Sequence, residues 1–380
     1  MNASLTEFLG FLNLTWQAAV MLFIAGVLLW LGIVKKVEPV LLVPIGMGSL
    51  LANIPLGGIA EKGGLLAVLR DVGIHTEIFP LLIFIGVGAM IDFEPFLQRP
   101  YTIFLGAAAQ FGIFGTFFVA YLLGNGGLHL LDFSLADAAS VGIIGSADGP
   151  TSIYVSTILQ SKYTAAIVVA AYSYMAMVPI IQPPIIRALC SPKERALKMS
   201  VVHGGTPRSV KILFPIITTL VVGLLSPKAT PLIGTLMFGN LLKESGVTKG
   251  LSDVAQNELA NIVTILLGVT VGGMMSSADF IRAETILVFA LGVVAFSLDT
   301  VGGILLGKLM MVLSGHKINP MIGACGISAF PMSARVVQKL GLQANPHNHL
   351  LMHAAGANVA GQIASVVAGG VMLLLVPLFL

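Results

Sequence analysis

The residue with the clearest chemical potential is a lone acid, Asp148, in the stretch G-S-A-D-G-P-T-S at residues 145–152. The surrounding sequence is apolar, and no other charged residue occurs between Asp137 and Lys162. The glycine and proline that follow Asp148 interrupt helices, since glycine loses more backbone entropy and proline lacks an N–H. An acid beside interrupted backbone in a membrane segment indicates an ion or proton site. The alternative is that Asp148 only caps the start of a helix.

A second polar stretch, interrupted in the same way, reads N-P-M-I-G-A-C-G-I-S-A-F-P-M-S-A-R at residues 319–335. It contains Asn319, Ser328 and Ser333. We expect the two stretches to meet near the middle of the membrane, which would bring these oxygens close to Asp148. A carboxylate with amide, hydroxyl and freed backbone carbonyl oxygens suits a hard cation such as Na⁺. The same acid could instead carry a proton.

Arg335 closes the second stretch and differs from its other polar residues in carrying a positive charge. It could form an anion site, or it could extend its charged group to the membrane interface. In a simple cation transporter the interfacial role is the better interpretation.

Five further polar residues each admit two interpretations. Tyr172 and Tyr174 could relay a proton or bind an ion weakly, or they could be packing or interfacial tyrosines. Asn358 and Gln362 lie one turn apart on the last predicted helix, where hydrogen bonds between helices are the simpler role. Asp299, late in another apolar span, could be a second intramembrane acid or an interfacial one.

The composition places the chain in a membrane. Of its 380 residues, 56% are hydrophobic and only 10% are charged, whereas soluble domains carry about 25% charged residues. Apolar runs recur along the whole length, each near the roughly 20 residues that a helix needs to cross the bilayer. We therefore expect a multi-pass protein of the cell membrane, surrounded by lipid, with no nucleic acid as a partner.

The two halves of the chain, residues 1–200 and 201–380, resemble each other weakly but consistently. Residues 44–53 resemble 231–240, and residues 86–90 resemble 271–275, at separations close to half the chain. Internal repeats are the usual architecture of secondary transporters. We therefore predict two membrane repeats with these bounds.

The predicted fold is an all-α polytopic membrane protein with about ten transmembrane helices. The predicted spans are 16–34, 38–55, 77–91, 101–123, 163–189, 211–226, 229–243, 258–275, 285–307 and 347–375. Two further segments, 136–160 and 319–340, are interrupted by glycine and proline and are predicted to be re-entrant hairpins or broken helices. Irregular backbone at membrane depth requires burial in protein or a polar cavity.

The distribution of positive charge orients this topology. The loop at residues 190–211 carries five Lys or Arg residues and is predicted to be cytoplasmic, whereas the loop at 124–134 carries none and is predicted to be outside. With both interrupted segments re-entrant, each half crosses an odd number of times, so the two repeats are inverted. The positive charges predicted to lie outside are exceptions to the rule: Lys62, Arg70, Lys162, Lys228 and Arg282.

Four motifs together resemble the β subunit of the Na⁺-pumping, biotin-dependent decarboxylases. They are the stretches at residues 145–152, 172–184, 319–335 and 353–363. The resemblance implies an enzyme of the class that acts on oxaloacetate, methylmalonyl-CoA, glutaconyl-CoA or malonate.

The resemblance also implies cofactors and partners. A carboxyltransferase α subunit would transfer CO₂ from the substrate to biotin on a biotin carrier subunit, and a small membrane subunit would belong to the same oligomeric complex. The β subunit would decarboxylate carboxybiotin, which the carrier holds and which is not bound covalently here. It would use the released free energy to export Na⁺, and a proton would be consumed.

By motif position, the resemblance assigns roles to particular residues. The essential aspartate corresponds to Asp148 and the functional tyrosine to Tyr174. The residues that correspond to the other functional positions are Asn319, Gly323, Ser328, Arg335 and Asn358. Arg335 would bind the carboxylate or the ureido oxygen of carboxybiotin from the cytoplasmic side.

The leading hypothesis is that Na⁺ binds from the cytoplasm to Asp148, Asn319, Ser328 and Asn358. Decarboxylation near Arg335 would consume a proton delivered through Tyr174 and Asp148, and the site would then open outward. The alternative is a stand-alone secondary transporter, a Na⁺/H⁺ antiporter or a Na⁺-carboxylate symporter. A purely structural membrane anchor is disfavoured by the polar residues in both interrupted segments.

The topology predicts which positions a membrane-impermeant thiol reagent can reach. Single cysteines at positions 162 and 228 should react from outside the cell, whereas one at position 35 should react only from the cytoplasm, because the predicted loops lie on opposite sides of the membrane. Labelling of intact cells and of inverted vesicles measures this access. Reaction of position 162 only from the cytoplasm would contradict the topology.

Overall fold

Helices dominate the chain in the computed structural model, which describes residues 9–130, 132–200, 204–276, 280–329 and 331–379. No β-strand occurs in these ranges. The all-α prediction is therefore confirmed for this part of the chain.

The helices fall into two sets along the sequence. The first set is α1 (Trp16–Ile33), α2 (Pro39–Ala52), α3 (Leu65–Leu69), α4 (Ile78–Met90), α5 (Glu94–Leu97), α6 (Thr102–Ala109), α7 (Phe111–Leu123), α8 (Leu135–Gly142), α9 (Gly149–Ile158), α10 (Thr164–Leu189) and α11 (Pro192–Arg195). The second set is α12 (Arg208–Leu225), α13 (Thr230–Glu244), α14 (Lys249–Val254), α15 (Ala260–Gly273), α16 (Ala283–Leu313), α17 (Met332–Ala344) and α18 (Leu351–Leu375).

Several of these helices are long and apolar enough to cross a membrane. In the described ranges six continuous spans meet this condition, and two bent pairs bring the number to eight if each pair is one span. The six are Trp16–Ile33, Thr102–Leu123, Arg208–Leu225, Lys249–Gly273, Ala283–Leu313 and Leu351–Leu378. The predicted spans 38–55 and 229–243 form the shorter helices α2 and α13, of 14 and 15 residues. The count of ten stays a prediction.

The outer helices present apolar side chains away from the protein. On α12, for example, Leu224 is 82% exposed and Leu225 is 78% exposed. Large apolar side chains directed outward from long apolar helices are expected where lipid rather than water surrounds the protein. The molecule is thus a multi-pass membrane protein.

Close backbone approach holds α2 against α15. An ideal Cβ built on Gly48 would lie 2.1 Å from the carbonyl oxygen of Val269, and one built on Gly272 would lie 2.0 Å from that of Ile45. No side chain fits in either place. Small residues at such crossings let membrane helices come together closely enough for backbone-to-backbone contact.

The contact between α4 and α13 is built in the same way. A Cβ on Gly88 would lie 1.8 Å from the carbonyl oxygen of Leu236, and a Cβ on Gly239 would lie 1.9 Å from that of Ile85. Each of these two interfaces joins a helix of the first half of the chain to a helix of the second half.

Both predicted interrupted segments are discontinuous in the structure. In the first, α8 continues as a 3-10 helix at Ile143–Ser146. The helix is then interrupted for two residues before α9 begins at Gly149. In the second, a 3-10 helix at Pro320–Cys325 is followed by non-helical backbone before α17. We call them the first and second broken segments.

The long helix α16 contacts both broken segments. The carboxyl group of Asp299 contacts Gly145 of the first segment. The backbone of Gly303 packs against that of Gly323 in the second segment, and a Cβ added to Gly323 would lie 2.0 Å from the Gly303 carbonyl oxygen. The glycine predicted at position 323 as a functional residue therefore has a steric role at this contact.

The crossings predict how a single methyl group affects stability. Gly88→Ala should destabilise the protein by about 1–3 kcal/mol, because the methyl group would overlap a backbone oxygen that cannot move independently. Thermal unfolding in detergent measures the effect. The matched control is Gly26→Ala on α1, where a Cβ meets no atom within 4 Å. Equal melting temperatures for the two variants would refute this account of the crossing.

Candidate functional site

Asp148 lies at the break of the first segment, where its carboxylate is buried and fully engaged. Its Oδ1 accepts a hydrogen bond from the backbone N–H of Thr151 at 3.3 Å, so the side chain caps α9. Its Oδ2 accepts from the Thr151 hydroxyl at 2.7 Å and from the Gln362 amide at 2.8 Å, and the Ser365 hydroxyl lies 3.5 Å away. The capping alternative is thus part of the structure, but it accounts for only one of the contacts.

The backbone at this break is strained, and it is tied to the second segment. Ala147 has a φ of 51°, a left-handed conformation that residues with a Cβ rarely adopt. Ser146 is the last residue before the interruption, so its carbonyl oxygen has no partner within the helix. It accepts a hydrogen bond from the backbone N–H of Ser328 at 3.0 Å. The two broken segments therefore meet directly, as predicted from the sequence.

Ser328 also connects the second segment to Asp148 through a neighbouring side chain. Its hydroxyl donates to the carbonyl oxygen of Gly361 at 3.3 Å and contacts the hydroxyl of Ser365. Ser365 in turn lies 3.5 Å from the Asp148 carboxylate. Ser328 and Asp148 thus belong to one cluster of oxygens, with Ser365 between them.

Asn358 on α18 spans the second break from the opposite side. Its amide nitrogen donates to the carbonyl oxygens of Cys325 at 3.3 Å and Ile327 at 2.5 Å. Its buried Oδ1 has no hydrogen-bond partner among the described residues. An unused amide oxygen beside freed carbonyls is a ligand that a hard cation could take.

Asn319 lies at the start of the second segment, and its side chain is committed to other groups. Its amide nitrogen donates to the carbonyl oxygens of Arg195 at 3.2 Å and Leu197 at 2.8 Å, and its Oδ1 accepts from the backbone N–H of Met321 at 3.0 Å. It caps the 3-10 helix and holds the loop after α11. The structure does not bring this predicted Na⁺ ligand into the Asp148 cluster.

The two tyrosines of α10 separate in the structure. Tyr174 donates its hydroxyl hydrogen bond to the carbonyl oxygen of Phe289 on α16, so it joins two helices. The ring of Tyr172, by contrast, covers Gly149 so closely that an added Cβ would lie 2.2 Å from it. The buried hydroxyl of Tyr172 has no partner in the described ranges. Of the two, Tyr172 is the one beside Asp148.

Three residues matter more at this site than the sequence alone indicates. From the sequence, hydrogen bonding between helices is the simpler role for Gln362. The family resemblance selects Tyr174 as the functional tyrosine and not Tyr172, and nothing in the sequence singles out Ser365. Gln362 and Ser365 lie three positions apart on α18, on the face that carries Asn358. That helical spacing is the signal that could have identified Ser365.

A cavity of about 440 Å³ borders Asp148. Tyr172, Ser328 and Gln362 also line it, and so does Glu38. Arg335 is exposed, and its positive charge interacts with Glu38. Arg335 therefore lies near Glu38 and not in the Asp148 cluster, and it lines a separate cavity with Gln338 and Lys339.

A larger cavity of about 790 Å³ lies at the far end of α9. Its lining includes Thr157, Gln160 and Lys162, together with Arg70. Since Asp148 caps the start of α9, this one short helix separates the two cavities. A buried acid at a helix break between two cavities is typical of a transport protein that moves an ion through the membrane.

Comparison with known proteins identifies the family. Residues 17–376 match the family described as the Na⁺-transporting oxaloacetate decarboxylase beta subunit. The chain is 46% identical to the oxaloacetate decarboxylase beta chain of Klebsiella pneumoniae, over 97% of this chain and 98% of that protein. It is 50% identical to the methylmalonyl-CoA decarboxylase subunit beta of Veillonella parvula, over 96% and 94%. It is also 50% identical to the glutaconyl-CoA decarboxylase subunit beta of Acidaminococcus fermentans, over 97% and 95%.

The chain therefore belongs to the family of β subunits of Na⁺-translocating decarboxylases. It is a multi-pass membrane component of such an enzyme, and the family is biotin-dependent and built from several subunits. The resemblance that the four motifs indicated is confirmed. A stand-alone secondary transporter is not favoured.

The position of Asn319 predicts a structural effect on the loop that it holds. Asn319→Ala removes two donated hydrogen bonds and one accepted bond, each worth about 1 kcal/mol, so the loop should open more often. Trypsin cleavage after Lys198 should become faster by about a hundredfold, since the three bonds together are worth about 3 kcal/mol.

The control is Asn345→Ala, which removes one 3.5 Å bond to the carbonyl oxygen of Ala196 in the same loop and one bond outside the loop, accepted from the backbone N–H of His347. Its cleavage rate should stay close to that of the wild type. Unchanged cleavage of Asn319→Ala would mean that Asn319 does not hold the loop.

Proposed function

We propose that this chain decarboxylates carboxybiotin near Arg335 and uses the reaction to export Na⁺ bound at Asp148. One observation carries the proposal: Asp148 and Glu38 line the same cavity, and the charge of Arg335 acts on Glu38. The cytoplasm is the predicted side of Arg335, so carrier-bound carboxybiotin would approach from there.

The proposed Na⁺ site consists of oxygens contributed by three elements. Asp148 provides the charge, and the hydroxyls of Ser328 and Ser365 adjoin it. Asn358 provides an amide oxygen that is free in the described structure. Hard cations prefer such oxygen ligands, and helix ends and unwound carbonyls commonly complete their coordination. Asn319 and Gly323 lie outside this proposed site: Asn319 binds the loop after α11, and Gly323 packs on α16.

Hydrogen bonds now occupy the Asp148 carboxylate, and they define what Na⁺ would replace. The Thr151 hydroxyl and the Gln362 amide both donate to Oδ2. A cation at Oδ2 would require the Gln362 amide to turn its oxygen toward the ion. The same carboxylate could hold a proton in the empty state, so Na⁺ and a proton would alternate on it.

Carboxybiotin supplies a carboxyl group on a ureido nitrogen. When the C–N bond breaks, CO₂ leaves, the electron pair remains on the nitrogen, and one proton completes that nitrogen. Arg335 would hold the carboxylate, since a guanidinium binds a planar anion with two parallel hydrogen bonds. The proton would come through the cavity from Asp148. Tyr172, with its free hydroxyl beside Asp148, is better placed for this relay than Tyr174.

Coupling of decarboxylation to transport requires that Na⁺ and carboxybiotin alter each other's binding. Na⁺ bound at Asp148 would favour the state open to the cytoplasm, and loss of carboxybiotin would favour the state open toward the larger cavity. A ligand shifts such an equilibrium only as far as its affinities for the two states differ. The short helix α9 is the element that would move between the two cavities.

Two inverted repeats, residues 1–200 and 201–380, remain part of the proposal, with about ten membrane crossings. The glycine crossings support the repeat, because α2 packs on α15 as α13 packs on α4. By these contacts Gly48 of α2 is the equivalent of Gly239 of α13. The sequence comparison instead aligned Gly239 with Ala52. The contacts therefore favour an alignment shifted by one helical turn for this helix.

The proposed partners are a carboxyltransferase α subunit, a biotin carrier subunit and a small membrane subunit. Relatives named for oxaloacetate, methylmalonyl-CoA and glutaconyl-CoA are about equally similar, at 46–50% identity. This similarity supports a β subunit that handles the same carboxybiotin in each complex. The acid itself would then be selected by the carboxyltransferase.

Replacement of the central acid tests the proposal. Asp148→Asn, assayed in the full complex, should reduce Na⁺-stimulated decarboxylation to background, because the amide keeps the shape of the side chain but carries no negative charge to attract Na⁺ and cannot release a proton. The control is Asp71→Asn, which changes an exposed acid outside the cluster and should leave the activity unchanged. Retained coupled activity in Asp148→Asn would refute the proposed role.

Reconstitution separates the proposal from the alternative. In liposomes the chain alone should move no Na⁺, and Na⁺ movement should require the complex and carboxybiotin. Na⁺ transport by the isolated chain, without biotin, would instead support a stand-alone transporter.

A further inference from the structure

A second acid, Asp299, is buried in the middle of the longest helix. It lies near the centre of α16 (Ala283–Leu313), and its side chain is 1% exposed. Acidic side chains at such positions are costly and mark ion or proton pathways more often than not. The sequence is compatible with an intramembrane or an interfacial Asp299, and the structure places it inside the protein.

One oxygen of Asp299 has a structural task. Its Oδ1 accepts a hydrogen bond from the backbone N–H of Ile113 at 3.1 Å, and the backbone N–H of Gly112 also interacts with the carboxylate. These N–H groups belong to the first turn of α7, whose first amide groups have no partner within the helix. Asp299 thus caps α7 from a neighbouring helix, close to the point where α6 ends.

The other oxygen has no such task. Oδ2 is buried and has no hydrogen-bond partner among the described residues. It lies against Gly145, where an added Cβ would be 2.4 Å from it, and the next nearest neighbour at that point is the Cβ of Ala295 at 3.2 Å. A buried carboxylate oxygen without a partner is costly unless the group is neutral.

We propose that Asp299 is a second ion-carrying residue of this protein. It holds a proton on Oδ2, and Gly145 of the first broken segment covers that oxygen. A proton fits better than a metal cation, because Oδ2 has no polar partner among the described residues and lies against the backbone of Gly145, whereas Na⁺ requires several oxygen ligands. The proposal adds a site to the proposed function and does not depend on the role of Arg335.

The surroundings of Asp299 isolate it from other charges. Among the described residues no charged side chain acts on it; only its burial and the two backbone N–H groups do. The titratable groups on the helices and turns packed against α16 are Tyr121, Asp137, Tyr172, Tyr174, Arg187 and Cys325, Asp148 follows on the first broken segment, and α16 itself carries Glu284 and Lys308. Asp137 is bound to Ser134 and Ser161, and Tyr174 is bound to the Phe289 carbonyl.

The contact with Gly145 would couple this proton to movement of the first segment. Gly145 lies three residues before Asp148, so a displacement that opens the Asp148 site also uncovers Oδ2. In the covered state the carboxyl group keeps its proton. In the uncovered state water reaches it, and the proton can leave as hydronium with the electron pair staying on Oδ2.

Infrared spectroscopy of the purified complex tests the proton directly, without turnover. A protonated carboxyl group has a carbonyl stretch that is separate from that of a carboxylate. The wild type should show such a band, the band should be lost in Asp299→Asn, and it should persist in Asp148→Asn. Asn is suitable because its side-chain oxygen can still accept from Gly112 and Ile113.

A second measurement uses the wild type, so that it does not depend on the folding of a variant. A hydrophobic carbodiimide reacts with protonated carboxyl groups, and mass spectrometry should find the adduct on Asp299. In the complex, the pH dependence of Na⁺-stimulated decarboxylation should also become flatter in Asp299→Asn.

Three results would overturn the proposal. The first is a spectrum in which Asp299→Asn removes no protonated-carboxyl band. The second is wild-type protein without a carbodiimide adduct at Asp299. The third is loss of one bound Na⁺ in Asp299→Asn, which would make the residue a cation site. None of these results would bear on decarboxylation near Arg335, so failure here is distinguishable from failure of the proposed function.

Discussion

The structure depends on one constraint, which is that two buried segments of a membrane protein are interrupted helices. Lipid offers no hydrogen bonds, so every backbone group freed at the breaks needs a partner within the protein. The N–H of Ser328 meets this need for the carbonyl oxygen of Ser146, and Asn358 meets it for two carbonyls of the second break. The same requirement concentrates oxygen atoms around Asp148, and this concentration makes a cation site chemically reasonable.

Close contact between helices makes this arrangement possible. The helices that surround the breaks approach at glycines, so backbone touches backbone at Gly88 and Gly272 and at the contact between Gly303 and Gly323. Such contacts leave little room for gradual deformation, and packed interfaces of this kind move as units. A carboxylate on one side of α9 and a cavity at its other end therefore suggest movement of the whole short helix.

The sequence was sufficient to single out Asp148 as a candidate and to predict both interrupted segments and their contact with each other. A charge beside glycine and proline in an apolar span usually marks a functional site. It was insufficient where the role depends on a distant partner. Asn319 binds carbonyls more than 120 positions away in the chain, and no local spacing indicates that contact. The difference between Tyr172 and Tyr174 has the same origin: the two lie on different faces of α10, and only the packing shows which face meets Asp148.

Direct binding of radioactive Na⁺ to the solubilised protein, without carboxybiotin, tests the central claim that the meeting point of the two breaks holds the ion. The account predicts that Asp148→Asn and Ser365→Ala weaken or abolish binding, whereas Asn319→Ala leaves it close to that of the wild type. Undiminished binding in Asp148→Asn, or its loss in Asn319→Ala with Ser365→Ala unaffected, would contradict the account.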